Sequence, residues 1–146
     1  MKQGMPERNL SAPPRAARTV LAFDFGLRRI GVAVGEPELG TAHPLPPIAA
    51  PGFEAIGRLV SEWRPALLVV GLPVAEQGEH ALARRVERFA RQLEGRYRLR
   101  VARVDERFTS AEAESRLRGF RKKSVDSVAA QLILEQYFGE MSDSAA

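Results

Sequence analysis

Thr19-Val20-Leu21-Ala22-Phe23-Asp24-Phe25-Gly26-Leu27-Arg28-Arg29-Ile30-Gly31-Val32-Ala33-Val34-Gly35 holds two apolar, β-rich runs separated by a short link that carries a glycine and two arginines. The pattern predicts a β-hairpin with Asp24 near the end of its first strand. In the second run Ile30, Val32 and Val34 share one face. Gly31, Ala33 and Gly35 share the other, so another element can approach that face closely. Ala22 and Asp24 lie on one face of the first run by the same alternation. A lone carboxylate in so apolar a run is costly to take out of water unless it is paired. Asp24 is therefore either a strand-end aspartate that reaches solvent or one member of a charged site.

Residues 1–17, with Pro6, Pro13 and Pro14 and no periodicity, read as a disordered extension. Beyond the hairpin, the prolines of His43-Pro44-Leu45-Pro46-Pro47-Ile48 allow at most a short edge strand, with His43 in a loop. Ile56, Leu59, Val60 and Trp63 fall at helical spacing from Phe53 to Arg64, Pro65 ends that helix, and Trp63 belongs to the core. Ala66 to Val70 is apolar throughout, as a strand buried on both faces would be, and Gly71-Leu72-Pro73 breaks it. Leu82, Val86, Phe89 and Leu93 form the inner stripe of a second helix that starts near His80 and stops at Gly95, with Arg84, Arg85, Arg88 and Arg91 off the stripe. Leu99 to Val104 is a further strand, closing in Asp105-Glu106-Arg107. Thr109 and Glu112 have the spacing of a capping box, so a helix should run from there to Gly119. After the basic link Phe120-Arg121-Lys122-Lys123, a last helix runs from Ser124 to about Phe138, and residues 140–146 are a frayed tail. The order β-β-β-α-β-α-β-α-α predicts one α/β domain, residues 18–139, built on a mixed five-stranded sheet flanked by helices.

The 146 residues suit one domain with a single substantial core, and 45% hydrophobic with 27% charged residues is ordinary for a soluble globular chain. No apolar run approaches the ~20 residues of a membrane span, and no signal peptide is visible, so cytosol is the expected location. Cysteine is absent and there are two histidines, His43 and His80. That excludes disulfides, thiolate nucleophiles and zinc-thiolate sites, and leaves carboxylates as the metal ligands. Charge is uneven along the chain. From Arg84 to Lys123 there are fourteen Arg or Lys against six Asp or Glu, an excess of eight in a chain whose net charge is +4. Arginine forks suit phosphate, so the segment is either a surface for a polyanionic partner, contacted in part by Arg121, Lys122 and Lys123, or a solvated face of a chain rich in arginine.

In the last helix, Ser124, Ser127, Gln131 and Glu135 cluster on one side, which reads as the wet side. Asp126 falls roughly opposite, at about 145° from that cluster and in one stripe with Ala130, Ile133 and Tyr137. It is either a solvated first-turn aspartate favoured by the helix dipole or a buried-face carboxylate that meets Asp24. Glu106 shares the phase of Ala102 and Val104, and Asp105 points the other way. Asp24, Glu106 and Asp126, delivered from two strand ends and a helix start, would repel one another unless a cation lay between them. Such a set would hold Mg²⁺ or Mn²⁺, with basic side chains around it for phosphates. These are the parts of metal-assisted phosphodiester hydrolysis.

The segments AFDFGLRRIGVAVG (22–35), LLVVGLPV (67–74), VDERFTSAEAE (104–114) and KKSVDSVAAQLILEQYF (122–138), in this order and spacing, resemble the YqgF family, also called RuvX. Its members are RuvC-like proteins of the ribonuclease H-like superfamily, linked to Holliday junction resolution and to maturation of the 5′ end of pre-16S ribosomal RNA. The resemblance implies Asp24, Glu106 and Asp126 as metal-binding catalytic acids. It also implies Gly26, Arg28, Gly71, Pro73, Arg107, Thr109 and Ser110 as residues lining the site, with Arg28, Arg29, Arg107, Thr109 and Ser110 on the nucleic acid. The chain departs from RuvC at the end of the fourth strand, where Gly71-Leu72-Pro73 replaces an acidic residue, so Glu106 on the next strand must substitute. The substrate implied is structured RNA, pre-16S rRNA or a pre-ribosomal particle, cut by a monomer or homodimer; branched DNA is the alternative. Two other classes share some of these features. An actin-like or sugar-kinase ATPase also begins with an aspartate-glycine hairpin but needs two such domains, and a non-catalytic RNA-binding module needs none of the three acids.

Overall fold

The computed structural model describes residues 18–73, 80–106 and 125–145, without the side chains of His80, Val125, Asp126 and residues 143–145. Strands β1 (Val20–Asp24) and β2 (Arg29–Glu36) form the antiparallel hairpin, with Asp24 as the last residue of β1, paired opposite Gly31. The link between them is tight. A Cβ on Gly26 would stand 2.4 Å from the Arg29 carbonyl oxygen, an overlap that only glycine avoids. Strands β3 (Thr41–Ala49), β4 (Leu67–Leu72) and β5 (Val101–Asp105) complete a mixed five-stranded sheet in the order β3-β2-β1-β4-β5. Because β1, β4 and β5 are mutually parallel, their carboxyl ends share one edge of the sheet.

Side-chain alternation divides the core between the two faces. Leu21, Phe23, Ile30, Val32, Leu68 and Val70 pack against α1 (Phe53–Trp63) through Ile56 and against α2 (His80–Tyr97) through Val86, Phe89 and Leu93. On the opposite face Val20, Ala22, Ala33, Val69 and Val104 meet Ala130, Ile133, Leu134 and Phe138 of α3 (Val125–Ala145). The small-residue face of β2 therefore does admit a closely packed element. At Gly35 a Cβ would stand 3.1 Å from the Phe138 ring. Asp24, in phase with Val20 and Ala22, belongs to the α3 face.

Several expectations change. β3 is an edge strand, but it is nine residues long rather than short. The register shift between Ile30 and Val32 puts Pro46 and Pro47 opposite the single residue Gly31, so the prolines fall in a bulge, and an edge strand also has a free side where a missing N–H costs little. His43 is accordingly a strand residue, paired with Val34, and not a loop residue. Trp63 is the last residue of α1 and is 36% exposed, not core. Arg64, in the left-handed conformation, closes α1 before Pro65. Gly71 and Leu72 continue β4, and Pro73 follows its end. Helix α2 passes through Gly95 to Tyr97, whose hydroxyl donates to the Phe53 carbonyl and ties the helix end to the start of α1; the left-handed residue is Arg98. Helix α3 continues past Gly139 to Ala145. The expected helix from Thr109 to Gly119, the extension 1–17 and the link 120–123 lie outside the described residues.

Candidate active site

The register fixes what surrounds Asp24. Phe23 of β1 pairs with Val70 of β4, so Asp24, one step further, has Gly71 as its neighbour on the adjacent strand, about 4.8 Å away between backbones. Gly71 in turn pairs with Val104 of β5. Asp24 is half-buried at the carboxyl edge of the sheet, just before the exposed hairpin tip that carries Arg28 and Arg29.

Glu106 enters the same space from the other side. Its N–H donates to the Leu72 carbonyl at 2.9 Å, extending the β4–β5 ladder by one residue. Two positions beyond Val104, its side chain falls on the α3 face and turns back over β4. A Cβ on Gly71 would stand 3.2 Å from Glu106 Oε2 and 2.4 Å from Ile133 Cδ1. The absent side chain at Gly71 thus leaves the gap that the Glu106 carboxylate and Ile133 fill, and the carboxylate comes to rest one strand away from Asp24. Burial pushes the Glu106 carboxyl above its ordinary value. Asp105, by contrast, is exposed, as its opposite phase requires.

Asp126 is the second residue of α3, and its side chain lies outside the described residues. Its stripe mates Ala130 and Ile133 are fully buried against the sheet. The supposed wet side of this helix is not wet: Ser127 is 2% exposed and Gln131 5%. The reason is that this part of α3 is covered on more than one side, so a single-stripe reading fails. Ser127 Oγ donates to the Leu45 carbonyl at 2.6 Å and accepts from the Val32 N–H at 3.4 Å. Val32 is paired with Phe23, so these bonds hold the start of α3 one residue from the level of Asp24. Nothing in the amphipathic pattern identifies Ser127 as this link.

The structure therefore brings Asp24, Gly71, Glu106 and the first turn of α3 to one edge and one face, with Gly26, Arg28 and Pro73 on the adjoining loops and Arg29 opening β2. Arg107, Thr109, Ser110, Arg121, Lys122 and Lys123 lie outside the described residues. Among the described residues no group of three acidic or histidine side chains forms a cation site, and the expected trio needs the Asp126 carboxylate to complete it. The donors at this edge are carboxylate oxygens, one of them desolvated, and they suit a hard divalent cation whose charge would offset that desolvation. No described helix is long and apolar enough to cross a membrane.

A sequence model of the family described as "RuvX: Holliday junction resolvase" matches residues 18–140. A Nitrosospira multiformis protein named "Putative pre-16S rRNA nuclease" is 50% identical, with 93% of this chain and 97% of that protein covered. A Methylobacillus flagellatus protein of the same name is 54% identical, covering 82% of this chain and 89% of its own length. Among solved structures, Thermus thermophilus RuvC in complex with a Holliday junction substrate superposes with a TM-score of 0.55 at 17% identity, covering 85% of this chain and 96% of RuvC. The fowlpox virus resolvase bound to junction DNA gives 0.55 at 9% identity, with 84% and 98% covered. At those identities the two structures speak for the fold alone, a RuvC-like one. Taken with the family match over residues 18–140 and the two relatives at half identity, they leave one assignment: the chain belongs to the RuvX family.

Proposed function

We propose that this chain is a Mg²⁺- or Mn²⁺-dependent endonuclease that hydrolyses phosphodiester bonds in structured RNA, maturing the 5′ end of pre-16S rRNA during ribosome biogenesis in the cytoplasm. The observation that carries the reading is the Glu106 carboxylate over Gly71, one strand from Asp24 on the same sheet face. A desolvated carboxylate one strand from a second acidic residue at a half-buried edge is costly for folding alone and would serve a cation well. The relatives' names support a nuclease acting on pre-16S rRNA, and family membership supports hydrolysis of phosphodiester bonds. Asp24, Glu106 and Asp126 would hold the metal, which when bound supplies a Lewis acid for the phosphate and a more acidic water. Arg28 and Arg29, at the hairpin tip beside Asp24, would orient the scissile phosphate, joined by Arg107, Thr109 and Ser110 beyond β5.

The family's description gives DNA junctions a specific claim as substrate, and an RNase H-like site reads phosphate geometry more than base sequence. One experiment addresses both. A pre-16S precursor and a four-way DNA junction are incubated side by side with wild type and Asp24→Asn, with Mg²⁺ and with chelator. The expected result is precursor cleavage by wild type with Mg²⁺, falling to background with chelator or in Asp24→Asn. Faster cutting of the junction would move the substrate to branched DNA. Cleavage of neither, or equal cleavage by Asp24→Asn, overturns the catalytic reading.

A further inference from the structure

On the face of the sheet opposite α3, a groove of about 690 Å³ opens beside the start of α1 and the first half of α2. Phe25, Pro51 and Phe53 line it with apolar surface, and Arg84, Arg85, Arg88 and Arg91 stand along α2. All four arginines are exposed. Arg84, Arg88 and Arg91 follow helical spacing, so their guanidiniums rise from one face over about 10 Å of helix. Glu87 also lines the groove, but it and Glu94 are shared with Arg103, and of the four arginines only Arg91 is paired among the described residues. Glu87 faces Arg103 of β5 at 2.8 and 3.1 Å, with Arg91 at 3.8 Å, and Glu94 takes an Arg103 hydrogen bond at 2.7 Å. Among the described residues no carboxylate pairs with Arg84, Arg85 or Arg88. Guanidiniums spaced along one helix face without partners repel one another, and a polyanion relieves that repulsion.

The position of the groove says which polyanion. Phe25 follows Asp24 directly and, by alternation, turns to the α2 face, so the apolar lining begins one residue from the carboxylate edge. An apolar, aromatic lining beside an arginine wall is the combination that binds single-stranded nucleic acid, with bases on the rings and phosphates on the guanidiniums. The volume is that of a few nucleotides.

We infer that this groove binds a single-stranded stretch of the substrate, which leaves the cleavage edge at Asp24 and crosses to the α2 face of the sheet. The inference rests on the nucleic-acid reading above, but its test reads binding alone. A fluorescent twelve-nucleotide oligouridylate is titrated in chelator, and anisotropy is followed as a function of salt. Replacing Arg84, Arg85 and Arg88 together with Ala, the residue of highest helix propensity, should keep α2 intact. Affinity in the triple variant should fall at least tenfold, and the slope of log K against log salt should flatten by about 2, at ~0.7 per lost contact. A control that removes the same charge at the opposite end of the sheet and on α1, Arg58→Ala with Arg64→Asn and Arg98→Asn, should stay within threefold of wild type. Asn suits the left-handed backbone at 64 and 98. The groove assignment is overturned if wild type does not bind the oligonucleotide, if the triple variant keeps its affinity and slope, or if the control loses as much. Unchanged affinity and slope in the triple variant, with cleavage intact, would refute only this inference, and absent cleavage with the slope change present would refute only the nuclease.

Discussion

The Glu106 carboxyl, held over Gly71 and desolvated by the surrounding apolar packing, binds its proton more tightly in the folded chain than in the unfolded one. Its contribution to stability is full below the ordinary value of 4.5 and is lost as pH rises through the raised folded value. Glu106→Gln should therefore be more stable than wild type at neutral pH in chelator, and the gain should vanish near pH 4. Thermal melts across that range check the sign, and a constant difference would mean that burial is not the cause. Ser127 gives a second residue-scale test. Its hydroxyl joins the Leu45 carbonyl and the Val32 N–H in a buried place, so Ser127→Ala should cost about 1–3 kcal/mol in chemical denaturation. Asp24 and Glu106 were legible as candidates from strand alternation, because period two leaves little freedom over which face a residue takes. Ser127 was not, because a hydroxyl on a helix looks solvated until the strands that cover it are in place.

At the scale of elements, two contacts beside that of Ser127 show how helices are held to the sheet. Arg103 projects from β5 to α2, forking onto Glu87 and reaching Glu94 and the Val101 carbonyl, with its side chain 23% exposed. The Arg103 hydrogen bond lowers the Glu94 carboxyl, so this contribution is present above 4.5 and is lost as pH falls through the lowered value. Arg103→Met should cost about 1–3 kcal/mol, and Arg103→Lys should recover only part, since an ammonium cannot fork. One of the fourteen basic residues that suggested a nucleic-acid surface is thus structural, which charge counting could not reveal. The other anchor is Ile133 of α3 against Gly71. Gly71→Ala should destabilise by about 1–3 kcal/mol, and Ile133→Val in the same chain should restore part of the loss by removing the overlapping methyl. Strands and helices were otherwise readable from period, even where their ends moved. The edge strand β3 was underestimated because prolines forbid only positions that need an N–H in the ladder: the bulge takes Pro46 and Pro47 out of it, and Pro44, opposite Ala33, sits on an edge strand with a free side. The phase of α3 misled because amphipathic reasoning assumes one dry face, and α3 has more.

For the whole molecule, parallel β1, β4 and β5 bring Asp24 and Glu106 to one edge, and α3 brings its amino end to the same place. The order of elements predicted this sheet, yet no local pattern could say that a glycine on β4 would be filled by a carboxylate from β5, because that contact joins residues 35 positions apart. If Asp24, Glu106 and Asp126 hold a cation as proposed, removing it leaves like charges together, and that gives a measurement that does not depend on cleavage. Asp24→Asn keeps the shape of the side chain while removing one charge and a strong ligand, so in chelator the variant should melt at or slightly above the wild-type temperature. Mg²⁺ at ten times its dissociation constant should stabilise wild type by about 1.4 kcal/mol, since a ligand favours the state that binds it. For a domain of this size that is roughly 5 °C in melting temperature. The shift should shrink markedly in Asp24→Asn and in Glu106→Gln, and chelator should reverse it. Equal Mg²⁺ shifts in all three proteins would place the cation elsewhere, and a metal-free Asp24→Asn well below wild type would make Asp24 a structural carboxylate whose charge the fold itself requires.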